Sequence, residues 1–171
     1  MQERKGIVTI EGNPLTLVGP ELKAGDKAPD FTLLDNDLAP KTLADFQGKT
    51  LIVSSVPSLD TPVCDMETRR FNKEAGTLGD GVTVLTVSMD LPFAQQRWCG
   101  AAGADNVVTL SDHRDASFGT AWGVLLKELR LLARSVFVVD KQGIIRLVHL
   151  VPEVVNEPDY NAILKVVREI A

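Results

Sequence analysis

Apolar residues recur along this chain in two rhythms, short near-continuous runs and one clear helical stripe. The runs at 51–56 and 82–88 are almost wholly apolar or small, the pattern of strands covered on both faces. The C-terminal stretch 160–170 places Ile163, Val166, Val167 and Ile170 along one stripe, as an amphipathic helix does. Between these anchors the pattern predicts a hairpin from 7–10 and 15–18 around Gly12-Asn13-Pro14, closed by Gly19-Pro20. It then predicts an extended piece at 31–34, a helix over 62–75, a second over 92–102, a short strand at 107–110 and a helical turn at 116–122. Strands at 135–139 and 144–148 flank Asp140-Lys141-Gln142-Gly143, a good hairpin connection. Strands that alternate with helices and end in a hairpin and helix predict an α/β fold. Its mixed central sheet would be flanked by helices, extended by the N-terminal β-hairpin, with right-handed crossovers between parallel neighbours.

Length and charge narrow the classes. The 171 residues are expected to form a single domain, 1–171, with 1–20 as a hairpin extension. A domain of that size hides roughly 70% of its chain's surface on folding. A formal charge of -5 gives no basic footprint for nucleic acid or an anionic membrane. No run approaches the roughly 20 apolar residues of a membrane span. The first residues are polar, with Glu3, Arg4, Lys5 and Glu11, unlike the apolar centre of a signal peptide, so the expected location is the cytoplasm. Cys64 and Cys99 are too few for a secreted disulfide scaffold. If they pair in a reducing compartment, the pairing is expected to be transient and catalytic.

The chemistry concentrates in Val56-Pro57-Ser58-Leu59-Asp60-Thr61-Pro62-Val63-Cys64. A buried strand ends, a turn follows and a helix begins. Thr61 suits the N-cap, and Pro62 suits the first helical position, where a missing N–H costs nothing. Cys64 then falls in the first helical turn, where unpaired N–H groups and the positive end of the helix dipole favour a thiolate, the reactive form of cysteine. From the residues alone, a buried inert cysteine beside Phe71 explains the position equally well, because free cysteine is among the most buried residue types.

Pro57, Thr61 and Cys64 spell Pro-x-x-x-Thr-x-x-Cys, which resembles the peroxidatic motif of the peroxiredoxins. The segment 57–64, together with Leu91-Pro92-Phe93-Ala94-Gln95-Gln96-Arg97-Trp98-Cys99-Gly100 and the stretch 129–140, is similar to three motifs of that family's atypical two-Cys, thiol-peroxidase subgroup. They agree in order and spacing, and the early hairpin extends the likeness over nearly the whole chain. The resemblance implies a thioredoxin-like fold and a peroxidase acting on hydrogen peroxide and organic hydroperoxides. It implies Cys64 as the attacking residue, Cys99 as its resolving partner, and an intramolecular disulfide formed after local unwinding. Thr61 and Arg134 would line the peroxide pocket, and Pro57 would shield the sulfur. It also implies thioredoxin as reductant, a homodimer and no cofactor.

Other readings of these residues are weaker. His113 and His149 lie far from the cysteines with no spacing typical of structural zinc, so no metal is expected. His113 reads as a surface residue and His149 as the end of an exposed strand. Trp98, Trp122 and Phe93 read as core or dimer contacts, and Glu67, Arg69, Arg70, Lys73 and Glu74 as a solvated helix face with i,i+4 pairs. A disulfide reductase is disfavoured by the lack of Cys-x-x-Cys. A redox sensor using the same disulfide stays open, because it too needs a reactive thiolate and a resolving thiol.

Overall fold

The computed structural model describes residues 1–171. Strands β1 (Glu3–Ile10) and β2 (Asn13–Val18) pair antiparallel around a turn in which Glu11 and Gly12 both take positive φ. Then come β3 (Thr32–Leu34), β4 (Pro40–Thr42), a 3-10 turn at Leu43–Phe46, β5 (Thr50–Ser55), α1 (Pro62–Leu78), β6 (Val82–Ser88) and α2 (Pro92–Ala102). The chain continues through β7 (Val107–Ser111), α3 (Ser117–Ala121), β8 (Leu125–Leu126), β9 (Leu131–Leu132), β10 (Ser135–Val139), β11 (Ile145–Leu150) and α4 (Tyr160–Ile170).

The two continuous apolar runs lie side by side, as expected of doubly covered strands. Seven strands form one sheet in the order β11-β10-β5-β6-β7-β3-β4. β5, β6 and β7 run parallel, with α1 and α2 as crossovers, and every other neighbouring pair is antiparallel. Alternation along β5 divides the interior. Leu51 and Val53 point to one cluster with Leu85, Val87, Phe137, Phe118 and Trp122. Ile52 faces the other, where α1, α2 and α4 contribute Cys64, Phe71, Trp98, Ile163 and Val167. The predicted bounds of β6, α2, β10 and α4 match the structure, whereas α1 runs three residues beyond the predicted end at 75.

The N-terminal hairpin is part of a larger unit. β2 pairs with β8 and β8 with β9, giving a second sheet in the order β1-β2-β8-β9. Two-residue strands carry no readable period, and for that reason β8 and β9 escape sequence analysis, as does the short β4. Gly123 shows why the hairpin seats closely. It holds φ 69°, and a Cβ there would strike the Pro20 carbonyl oxygen, while Arg4 Nη2 donates to the Gly123 carbonyl.

Trp122 belongs to the core, stacked on Phe118 at 4.9 Å and edge-on to Phe137 at 4.9 Å, with its indole N–H donating to the Pro29 carbonyl. Phe93 departs from the core reading: it is 63% exposed on α2. His113 is half-buried, and so is His149, whose Nε2 accepts the Asp159 N–H at 3.1 Å.

Asp112, just after β7, is buried and accepts the N–H groups of Phe118 (3.1 Å) and Gly119 (2.8 Å). Burial raises its pKa to about 6, although those N–H bonds pull it down. A carboxyl whose folded pKa lies above its unfolded value of about 3.9 favours folding most when protonated. Its contribution is therefore greatest below about pH 4 and is lost as pH rises through about 6. Urea unfolding of wild type and Asp112→Asn across that window is expected to show a decline in the wild type that the variant lacks.

Candidate active site

The loop leaving β5 is held by one carboxylate. Asp90 Oδ1 accepts the Ser58 hydroxyl (2.7 Å), and Oδ2 accepts the Leu59 N–H (2.8 Å) and the Ser88 hydroxyl (2.7 Å). Pro57, within this loop, is buried. Thr61 takes the extended backbone of an N-cap (φ −95°, ψ 148°), and its carbonyl accepts the first helical bond from the Asp65 N–H at 3.0 Å. Its hydroxyl does not cap the helix, however; it donates back to the Ser58 carbonyl at 2.9 Å. Pro62 occupies the first turn, and the N–H groups of Val63 and Cys64 find no acceptor within the protein.

Cys64 is fully buried, on the inward side of α1 with Glu67, Thr68 and Phe71. These fall at i, i+3, i+4 and i+7, one face of a helix. Glu67 is consequently no member of the solvated face that its charge predicts. It is 0% exposed, and its neighbours in sequence do behave as expected, with Arg69 on Asp65 and Arg70 on Glu74, each at 3.0 Å.

Arg134, immediately before β10, explains the buried carboxylate. Its Nη1 donates to Glu67 Oε2 (2.6 Å), its Nη2 to Cys64 Sγ (3.2 Å) and its Nε to the Val154 carbonyl (2.8 Å). The side chain is 2% exposed. The second Glu67 oxygen accepts the Ser54 hydroxyl at 3.0 Å, so both carboxylate oxygens and all three guanidinium nitrogens have a partner. The arginine backbone is anchored too: the Ser55 hydroxyl donates to the Ala133 carbonyl (2.7 Å) and the Val151 N–H to the Arg134 carbonyl (3.0 Å).

Burial raises the Glu67 carboxyl above its ordinary range, against the pull of Arg134 and Ser54. Burial also acts to lower Arg134, but attraction from Cys64 and Glu67 prevails and holds the guanidinium above its ordinary value. A permanent positive charge thus sits against the Cys64 sulfur in a water-poor interior, where it acts more strongly than at the surface.

Cys99 lies elsewhere in this arrangement. It is half-buried on α2, with its sulfur 3.5 Å from the Thr109 hydroxyl on β7. The Thr109 hydroxyl donates to Asn36 Oδ1 (2.9 Å), which leaves the Cys99 S–H as the donor toward Thr109. Both cysteines are free, and no hydrogen bond joins them. Of the five residues singled out in the sequence, the structure brings Cys64 and Arg134 into contact, sets Thr61 and Pro57 on the adjoining loop and keeps Cys99 on the next helix. Glu67, Ser54 and Asp90 were not foreseen. The spacing of Cys64, Glu67 and Phe71 was a readable signal for Glu67, whereas nothing local marks Ser54 or Asp90.

Removing Glu67 would leave Arg134 buried without its counter-charge. Glu67→Ala is expected to lower unfolding free energy by about 3–5 kcal/mol in urea titration, and Glu67→Gln, which keeps a hydrogen-bond acceptor, by less.

Known proteins match this sequence and fold. Residues 23–164 fit the Redoxin family model. The thiol peroxidase of Bacillus subtilis is 61% identical over 153 residues, covering 90% of this chain and 91% of that protein. The thiol peroxidase of Halalkalibacterium halodurans is 60% identical over 153 residues, 90% of this chain and 92% of that one. The crystal structure of a peroxiredoxin-like protein from Aquifex aeolicus superposes with a TM-score of 0.90 at 44% identity, covering 96% of each chain. A match over most of the chain, with a thioredoxin-like mixed sheet and a buried cysteine held by arginine, places the protein: it belongs to the Redoxin family, among the peroxiredoxin-type thiol peroxidases.

Proposed function

We propose that this peroxiredoxin-type peroxidase reduces hydrogen peroxide and organic hydroperoxides through a Cys64 sulfenic acid and an intramolecular Cys64–Cys99 disulfide. The observation that carries the reading is the Arg134 guanidinium 3.2 Å from a fully buried cysteine in the first turn of α1. Cys64 attacks as thiolate on one peroxide oxygen; the O–O bond breaks, and the leaving oxygen takes a proton to depart as water or alcohol. Cys99 then attacks the sulfenic sulfur, water leaves, and the disulfide forms. Two electrons from a dithiol reductant restore both thiols.

The site residues have distinct parts in this scheme. Arg134 donates to the sulfur, and the N–H groups without acceptors at the start of α1 are donors for charge developing on the peroxide oxygens. The Thr61 proton is already given to Ser58, which leaves its lone pairs to accept a hydrogen bond from the peroxide. Pro57, buried in the preceding loop, keeps water from the sulfur. Glu67 is a positioning residue acting through Arg134. The reading extends, on the family resemblance, to thioredoxin as reductant, a homodimer, a cytoplasmic location and a single domain over 1–171 with a hairpin extension at 1–20. No helix of the structure is long and apolar enough to cross a membrane.

The test follows peroxide consumption with thioredoxin, thioredoxin reductase and NADPH. Cys64→Ser is expected to abolish turnover, and Cys99→Ser to react once and stall as the sulfenic acid. Undiminished turnover in Cys64→Ser would overturn the mechanism. Disulfide formation in wild type without turnover would instead favour a sensor or a different reductant.

A further inference from the structure

We infer that Asp65 and Trp98 form a latch that holds the two cysteine segments in their resting positions and sets how fast Cys99 captures the oxidised Cys64. The inference rests on the disulfide reading above. Asp65 directly follows Cys64, and Trp98 directly precedes Cys99. The Trp98 indole N–H donates to Asp65 Oδ1 at 2.8 Å, joining α2 to the first turn of α1. Arg69 braces both partners: its Nε lies 3.0 Å from each Asp65 oxygen, and its guanidinium stands 5.7 Å from the centre of the Trp98 ring. The ring itself is buried in the same apolar cluster as Cys64 and Phe71. These contacts tie together the residues that flank the two sulfurs.

In the resting state each sulfur is engaged away from the other, Cys64 with Arg134 and Cys99 with Thr109. A disulfide needs Cα atoms within roughly 7 Å and a Cβ–S–S–Cβ dihedral near a right angle. Cys64 Sγ is held by Arg134 and Cys99 Sγ by Thr109, so at least one sulfur must leave its partner before the two meet. The disulfide reading takes that departure as local unwinding of one of the two helical turns. Unwinding either turn displaces Asp65 or Trp98 and breaks their hydrogen bond. A bond to an ionised carboxylate is stronger than one between neutral groups, so its rupture is part of the barrier to disulfide formation.

The latch also decides between two fates of the sulfenic acid. While it is closed, a second peroxide can oxidise Cys64 from sulfenic to sulfinic acid, releasing water or alcohol. When it opens, Cys99 attacks and water leaves. Weakening the latch therefore speeds capture and protects against the sulfinic state without altering the first oxidation. Asp65 and Trp98 act by positioning and touch no reacting atom.

Trp98→Phe keeps the ring and removes only the N–H, and Asp65→Asn removes the acceptor's charge. The intact protein is mixed with one equivalent of hydrogen peroxide, acid-quenched, and its disulfide and sulfenic forms counted by mass after alkylation. A second series measures the peroxide concentration that yields half sulfinic acid during turnover. Trp98→Phe is expected to form the Cys64–Cys99 disulfide about fivefold to tenfold faster, to raise the half-sulfinic concentration by a similar factor, and to leave the first oxidation within about twofold of wild type. Because the two residues share one bond, the double variant should be no faster than the faster single variant. Disulfide formation in Trp98→Phe at the wild-type rate or slower, or effects that multiply in the double variant, would overturn the latch while leaving the mechanism intact. Absence of a Cys64–Cys99 disulfide in wild type would overturn both.

Discussion

A positive charge buried beside a sulfur is the constraint around which this molecule is organised. An arginine that is 2% exposed cannot be left unpaired in an apolar interior, where the desolvation of a lone charge costs several kcal/mol. Glu67 supplies the opposite charge, Ser54 satisfies the remaining carboxylate oxygen, and the Val154 carbonyl takes the third donor of the fork. Once those partners are fixed, the second guanidinium nitrogen has one direction left, toward Cys64. Arginine suits the role where lysine would not, because its planar fork reaches three acceptors at once and stays charged however deeply it lies.

That constraint recruits distant parts of the chain. Glu67 comes from the inward side of α1, Ser54 from the C-terminal end of β5, Arg134 from the entrance to β10 and Val154 from the segment after β11. Ser54 sits in register between Val136 on β10 and Thr86 on β6, at the centre of the sheet, so its hydroxyl meets α1 without reaching solvent. The site thus inherits the stiffness of the parallel strands. The same stiffness opposes the second half of the chemistry, since a cysteine held this firmly must later leave its place. The first turn of α1 accommodates both demands. It is anchored inward through Cys64, yet on its outer side Asp65 pairs with Arg69 at 3.0 Å near solvent, and the loop just before it carries only the exposed Asp60–Arg97 pair at 3.6 Å.

The legibility of this arrangement follows the length and regularity of each signal. β6, α2 and α4 carry strong period or composition and were readable to the residue, while β4, β8 and β9 span two or three residues and have no period to read. Cys64 was legible because Thr61-Pro62 marks a helix start, although Thr61 turns its hydroxyl to Ser58 rather than into the cap. Glu67 departs from the exposure its charge predicts for a physical reason. Charge predicts exposure unless a partner is buried with it, and the partner stands 67 positions away at Arg134. Asp90 escaped for the same reason, since its partners Ser58 and Leu59 are brought to it by the pairing of β5 with β6. Contacts of that kind are written in the topology and not in any local pattern.

The central claim, that a three-way arginine fork activates Cys64, is tested most directly by stopped-flow oxidation of Cys64 in Arg134→Lys under single-turnover conditions. Lysine retains the charge but cannot bridge Cys64, Glu67 and the Val154 carbonyl together. In protein whose far-UV circular dichroism matches wild type, the oxidation rate is expected to fall about a hundredfold, the scale of losing a preorganised donor at the reacting atom. A folded lysine variant that oxidises within about twofold of wild type would contradict the claim, because point charge alone would then account for the reactivity.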